Sequence, residues 1–122
     1  MKIAKRKRIV NKKRKYHTNL TDEHWQEFSF FEQMANVGSE VERTIKWKNK
    51  ENLEYSRMAF ERALELLDLT ISDPKNRKGL KEILRVREAL ADYFAFSNEY
   101  KSTDKSWQNY FYSFNFAARL GI

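Results

Sequence analysis

Apolar residues recur along most of this chain at steps of three and four, interrupted by short polar stretches that mark turns. The first interruption ends at Asn19-Leu20-Thr21-Asp22-Glu23, which reads as a helix start. Thr21 suits the N-cap, and Asp22 and Glu23 place negative charge at the positive end of the helix dipole. Leu20 and Trp25 have the spacing of a hydrophobic staple. Phe28, Phe31, Met34, Ala35, Gly38, Val41 and Ile45 continue the stripe. This pattern predicts one helix from Thr21 to about Trp47, running through Gly38. The alternative is a restart at Ser39, where Ser39-x-x-Glu42 fits a capping box.

After a polar turn around Lys46 to Glu51, Leu53, Ser56, Phe60, Ala63, Leu64, Leu67 and Ile71 predict a second helix over about 50–71. Ser72-Asp73-Pro74 ends it, with Asp73 as N-cap and Pro74 in the first turn of the third helix. Asn76 to Gly79 is a soft spot in that start. Leu80, Ile83, Leu84, Arg87, Leu90, Ala91 and Phe94 then carry the third helix to about Phe96. Ser102 or Thr103 caps a fourth helix, in which Trp107, Tyr110, Phe111, Phe114, Ala117 and Ala118 form the apolar side. Period-two alternation never persists and hairpin dipeptides are absent. Short turns favour antiparallel neighbours. The expected fold is therefore all-α: an up-down-up-down four-helix bundle over residues 20–122, preceded by a basic, extended N-terminal arm over residues 1–19.

Charge sharpens that division. The net charge of +7 over 122 residues conceals a segregation. Residues 1–16 hold nine cations and no acid, while the remainder holds fifteen cations and seventeen acids, a net of −2. The arm is the footprint of a segment that neutralises phosphates and releases counterions. Lys5, Arg6, Lys7, Arg8, Lys12, Lys13, Arg14 and Lys15 are its candidate nucleic-acid-binding residues. RNA, DNA or a nucleoprotein complex is the expected partner, bound without sequence reading, because phosphate contacts position but do not specify. A solubility tail, or a tail docking on an acidic protein or on the body itself, is the competing reading. A membrane partner is not expected, since the arm lacks a bulky apolar face. Its basic residues are not followed by the apolar stretch of a secretory signal, so the cytoplasm is the expected setting.

Candidate chemistry in the body is sparse. The chain has no cysteine, which removes thiolate nucleophiles and disulfides. His17 and His24 are the only histidines, and no Glu-x-x-His pair exists, so neither a metal nor a cofactor is expected. Both histidines read as exposed junction residues. Glu61 and Glu65 share a helix face at i,i+4; they read as ordinary helical surface, with paired-carboxylate acid/base chemistry the sharper alternative. Arg87 stands out because it falls in the apolar stripe of the third helix. A cation there needs a partner, and Glu40, Glu65, Asp68 and Asp92 are candidates. Alternatively Arg87 anchors a small-ligand pocket, with Tyr93 and Tyr110 lining it. The run from Trp107 to Phe116 carries more aromatics than one helix face takes, so Tyr112 and Phe116 point outward. That surplus leads us to expect a homo-oligomer.

The run Gly38-Ser-Glu-Val-Glu-Arg43, with Trp47, Phe60 to Thr70, Asp73 to Asn76, Arg85 to Glu88, Asp92 to Phe94 and Tyr110 to Arg119, resembles a group of small bacterial and archaeal helical proteins of unassigned activity. The resemblance spans about residues 25–120 and implies one coherent domain. In architecture the bundle is similar to HEPN domains, whose ribonuclease members carry an Arg followed by a His on a late helix. No His follows His24 here, so the resemblance implies a nuclease-inactive relative. A comparable likeness is to small RNA-binding bundles that accompany reverse transcriptases. The function expected is a non-enzymatic helical accessory protein that engages nucleic acid through its arm. The alternative is a nucleotide- or small-ligand-handling bundle with an interhelical Arg87 site.

Overall fold

The stripe expected to run unbroken from Thr21 to Trp47 divides at residues 27–29. In the computed structural model, which describes residues 14–121, α1 spans Asp22–Gln26 and α2 spans Phe30–Asn49. Thr21 caps α1, accepting from the His24 N–H. Ser29 caps α2 in a full capping box: its hydroxyl accepts from the Glu32 N–H at 3.1 Å, and the Glu32 carboxylate accepts from the Ser29 N–H at 2.9 Å. The reciprocal bond satisfies two N–H groups that an uncapped start would leave open, so the restart falls here. The capping-box spacing at Ser39 is not used; Ser39 lies inside α2, with its hydroxyl donating to the Ala35 carbonyl.

Asn52 caps α3, Leu53–Ile71, by accepting from the Tyr55 N–H. Asp73 then caps a 3-10 helix, Pro74–Gly79, which runs directly into α4, Leu80–Ala95. Thr103 caps α5, Asp104–Arg119, with a second capping box formed with Ser106. The described residues are thus all helical, with five α-helices rather than the four expected, and no strand among them.

α2 is the central element, packed against α3 on one side and α5 on another, while α3 also packs against α4. Met34, Val37, Val41 and Ile45 face Ala63, Leu67, Ile83, Leu90 and Phe111 in one buried cluster. Each such aliphatic side chain contributes about 1.5–3 kcal/mol by leaving water. On α5, Phe111 lies so close to Gly38 that a Cβ there would sit 2.8 Å from the Phe111 Cβ. Gly38 is what lets the two helices approach.

The buried face of α4 differs in phase from the one read from the sequence. Ile83, Val86 and Leu90 are buried, whereas Leu84 is exposed and Arg87 only half-buried. One residue is about 100° on a helix, so a stripe centred on 83-86-90 leaves 84 and 87 on its solvent flank. Arg87 is therefore not a core cation. Its Nε donates to Asp68 on α3 at 2.8 Å, at the surface.

A buried polar knot holds α1, α2, α3 and the 3-10 helix together. The Gln33 amide, fully buried, donates to the Trp25 carbonyl at 3.0 Å and to Asp73 at 2.9 Å. It accepts from Asn76 at 2.9 Å, and Asn76 also donates to the Thr70 carbonyl. The Trp25 indole N–H donates to the Thr70 hydroxyl, which donates onward to the Leu66 carbonyl. Burial alone would raise the Asp73 pKa; the bonds from Lys75 and Gln33 outweigh it and hold the carboxyl below its ordinary value.

Gly38→Ala tests the α2–α5 contact. The added methyl meets the Phe111 Cβ and Cγ, which cannot swing aside without moving α5. Overpacking costs about 1–3 kcal/mol, against roughly 0.5–1 kcal/mol gained by replacing a helical glycine. Urea denaturation should show a net loss of about 1 kcal/mol. Gly79→Ala, with nothing within 4 Å of the added Cβ, should be neutral or slightly stabilising.

Candidate nucleic-acid interface

The arm's first cations, Lys5, Arg6, Lys7, Arg8, Lys12 and Lys13, lie outside the described residues. Its root, residues 14–19, lies within them and is fastened to α3. Glu61 and Glu65 are four residues apart, hence on one helix face, and both carboxylates point at the root. Glu65 accepts three successive backbone N–H groups, from Lys15 at 2.6 Å, Tyr16 at 3.1 Å and His17 at 3.1 Å. It also receives His17 Nδ1 at 2.8 Å. Glu61 accepts the Tyr16 hydroxyl at 2.6 Å. The pair is not free helical surface: it anchors the chain entering the body.

The electrostatics match. Burial alone would raise the Glu65 pKa; the bond from His17 and the three backbone N–H groups reverse that and hold it below the usual carboxylate value. Glu65 is thus ionised and accepts only, so His17 presents Nδ1–H to it. His17 is not the exposed junction residue expected from the sequence, because a capping carboxylate lies within reach. His24, by contrast, is exposed. The bond to Glu61 raises the Tyr16 pKa, with burial second.

Two arginines brace the root. Arg14 Nε donates to the His17 carbonyl at 3.1 Å, its NH2 group donates to the Leu20 carbonyl, and NH1 sits 3.5 Å from Asp22. The Arg14 side chain is only 15% exposed, so the described structure uses this predicted phosphate ligand internally. Arg62 stacks its guanidinium 5.7 Å from the Tyr16 ring centroid while pairing with Glu40 at 3.0 Å. Lys15 keeps its ammonium exposed, 3.9 Å from Glu61.

The residues of the alternative pocket each bond a different carboxylate. Arg87 pairs with Asp68. Tyr93 belongs to a latch between α2, α4 and α5: its hydroxyl donates to Asp104 at 2.5 Å, and Lys48 Nζ contacts both, at 3.1 Å and 2.6 Å. Burial would raise the Asp104 pKa, but the bonds from Lys48 and Tyr93 lower it overall. Tyr110 donates to Glu82 at 2.7 Å, and burial, then that bond, pushes its pKa up. Among the described residues no group of three His, Cys, Asp or Glu side chains is placed to hold a metal ion. No described helix is long and apolar enough to cross a membrane.

Sequence reasoning missed the anchor because Tyr16 and His17 lie 44 or more positions from Glu61 and Glu65. The i,i+4 spacing of the carboxylates was visible; their occupant was not.

Glu65→Gln replaces one acceptor oxygen with a donor that faces the backbone N–H groups. Hydrogen bonds to charged groups contribute about 1.5–3 kcal/mol, so amide exchange at Lys15, Tyr16 and His17 should accelerate about tenfold or more, with α2–α5 unchanged. In the native protein the anchor should hold above the ordinary carboxylate pKa and be lost as pH falls through the lowered pKa of folded Glu65. Exchange protection, corrected for the intrinsic pH dependence, reads both effects; unchanged protection in the Glu65→Gln chain excludes the anchor.

Set against family models, curated proteins and solved structures, the chain matches none.

Proposed function

We propose that this chain is a non-enzymatic helical accessory protein that holds RNA or DNA, or a nucleoprotein complex, through its basic arm. The four longer helices serve as an up-down-up-down bundle in this reading, the arm reaches from it in extended form, and the protein works in the cytoplasm as a homo-oligomer. The observation that carries the proposal is the fixed root beneath a segregated charge. Seven of the cations precede residue 14, and the residues just after it, Lys15 to His17, are bonded to α3 at Glu61 and Glu65. A cationic run that neutralises phosphates releases their condensed counterions, and that release drives the binding. Binding of this kind is electrostatic, tolerant of sequence and steeply salt-dependent.

The anchor refines the test. Removing residues 1–13 takes seven cations and leaves the root bonded to α3. For a single strand, full engagement of those cations gives a log–log dependence of affinity on salt with slope of about −5. The truncated chain should lose most of that slope and most of its low-salt affinity for single-stranded RNA, with helicity unchanged. Equal binding by the truncated and full chains at low salt overturns the proposal.

A further inference from the structure

The body's near-neutral charge conceals a second segregation. Residues 74–86, the 3-10 helix and the first turns of α4, hold five cations and a single acid, Glu82. The rest of residues 17–122 is left with ten cations against sixteen acids. Of the five, Lys75 is held by Asp73. Arg77, Lys78, Lys81 and Arg85 are all exposed, and among the described residues none of them pairs with a carboxylate. Lys81 lies four and three residues after Arg77 and Lys78, and Arg85 four after Lys81, so they form a row on the side of α4 opposite Ile83, Val86 and Leu90. Glu82 lies to the flank of this row, where it accepts the Tyr110 hydroxyl at 2.7 Å, and Glu88 ends it one turn past Arg85.

The arrangement works against the helix that carries it. Like charges three and four residues apart repel, and cations in a first turn face the positive end of the helix dipole. No carboxylate of the described chain offsets either cost at these four side chains. A rule of local stability that is broken without a compensating contact belongs to a surface that serves a ligand.

We infer that Arg77, Lys78, Lys81 and Arg85 form a second phosphate-binding row, which holds the backbone of a single-stranded nucleic acid on the folded body. The inference rests on the nucleic-acid reading above and adds to the arm a surface that the charge count of the body hides. From Arg77 to Arg85 the row is about 12 Å long at 1.5 Å per residue. A strand that advances about 3.4 Å per phosphate presents three or four charges over that length. Four cations in line therefore meet a linear polyanion nearly charge for charge. Each guanidinium can grip a phosphate with two N–H groups, while the lysines act as point charges. Leu84, 46% exposed beside Lys81 and Arg85, adds an apolar surface for a sugar or base. An acidic protein is the poorer occupant, because it would need carboxylates aligned at the same density.

Salt-dependent binding of a single-stranded oligouridylate to the full chain tests the row. Combining Arg77→Gln, Lys78→Gln, Lys81→Gln and Arg85→Gln leaves the arm intact and puts good helix formers at exposed positions, so helicity should be unchanged. Each phosphate contact with a single strand contributes about 0.7 to the log–log slope, so the row variant should be about 3 shallower than the native chain. A control of equal net charge combines Lys46→Gln, Lys50→Gln, Lys101→Gln and Lys105→Gln, all exposed near the α2–α3 and α4–α5 turns. Its slope should stay near the native value. A row variant with the native slope overturns the inference; if that variant has also lost binding to poly-glutamate, the row receives an acidic protein instead. A control that loses as much slope as the row variant overturns it too, because net charge alone would then explain the loss. The arm's own test removes residues 1–13 and leaves the row in place, so either reading can fail while the other holds.

Discussion

The Gln33 side chain is the constraint around which the rest of the described structure is arranged. A primary amide in the interior has to satisfy two donors and an acceptor, and each unpartnered group would cost about 1–3 kcal/mol. Gln33 meets the demand with the Trp25 carbonyl, the Asp73 carboxylate and the Asn76 amide. Those three partners come from the end of α1, the cap of the 3-10 helix and the 3-10 helix itself. To present the Trp25 carbonyl to a side chain eight residues later, the backbone must leave the helical path between them, and the Ser29–Glu32 capping box is where it re-enters. The same knot seats the Trp25 indole against Thr70, which fixes α1 on α3 and so sets where residues 14–21 lie.

From that placement comes the position of the arm's root. α1 packs across α3, and the chain before it is led back along α3 toward Glu65 and Glu61. Like charges at i,i+4 disfavour a helix slightly, and α3 carries two carboxylates there that three backbone N–H groups, an imidazole and a phenol neutralise or satisfy. The body's acidic lean is thus partly a local device. Arg62, held by Glu40 and stacked on Tyr16, ties this anchor back to α2.

Most of the helical content was legible from periodicity and caps, because those signals are local. Thr21, Asp73 and Thr103 are each caps where the sequence offered one, although Thr21 caps only the short α1 and Asp73 the 3-10 helix ahead of α4. The misreadings share one cause. The break at residues 27–29 was hidden because Phe28 and Phe31 keep helical spacing across it, so the apolar period alone does not register the change of path. Arg87 was misplaced because Leu84, Arg87 and Ala91 are themselves three and four apart, so two adjacent stripes on α4 compete. Only the packing of α4 against α3 selects Ile83, Val86 and Leu90. The Glu61–Glu65 anchor depends on contacts between residues more than forty positions apart, a relation that no window of local sequence contains.

The anchor also changes what the arm's charge means. A cation contributes to phosphate binding in proportion to the counterions it releases, and a guanidinium already committed to two carbonyls and a carboxylate would have to break those bonds first. Arg14 is in that position, with Asp22 and the Leu20 and His17 carbonyls around it. Its role on the described structure is to close the turn that leads residues 15–17 onto Glu65. The basic run that ends at Lys15 in the sequence therefore has its last arginine, Arg14, committed to the body. Seven cations precede that point in the sequence, while Arg14 and the residues beyond it belong to the helical body.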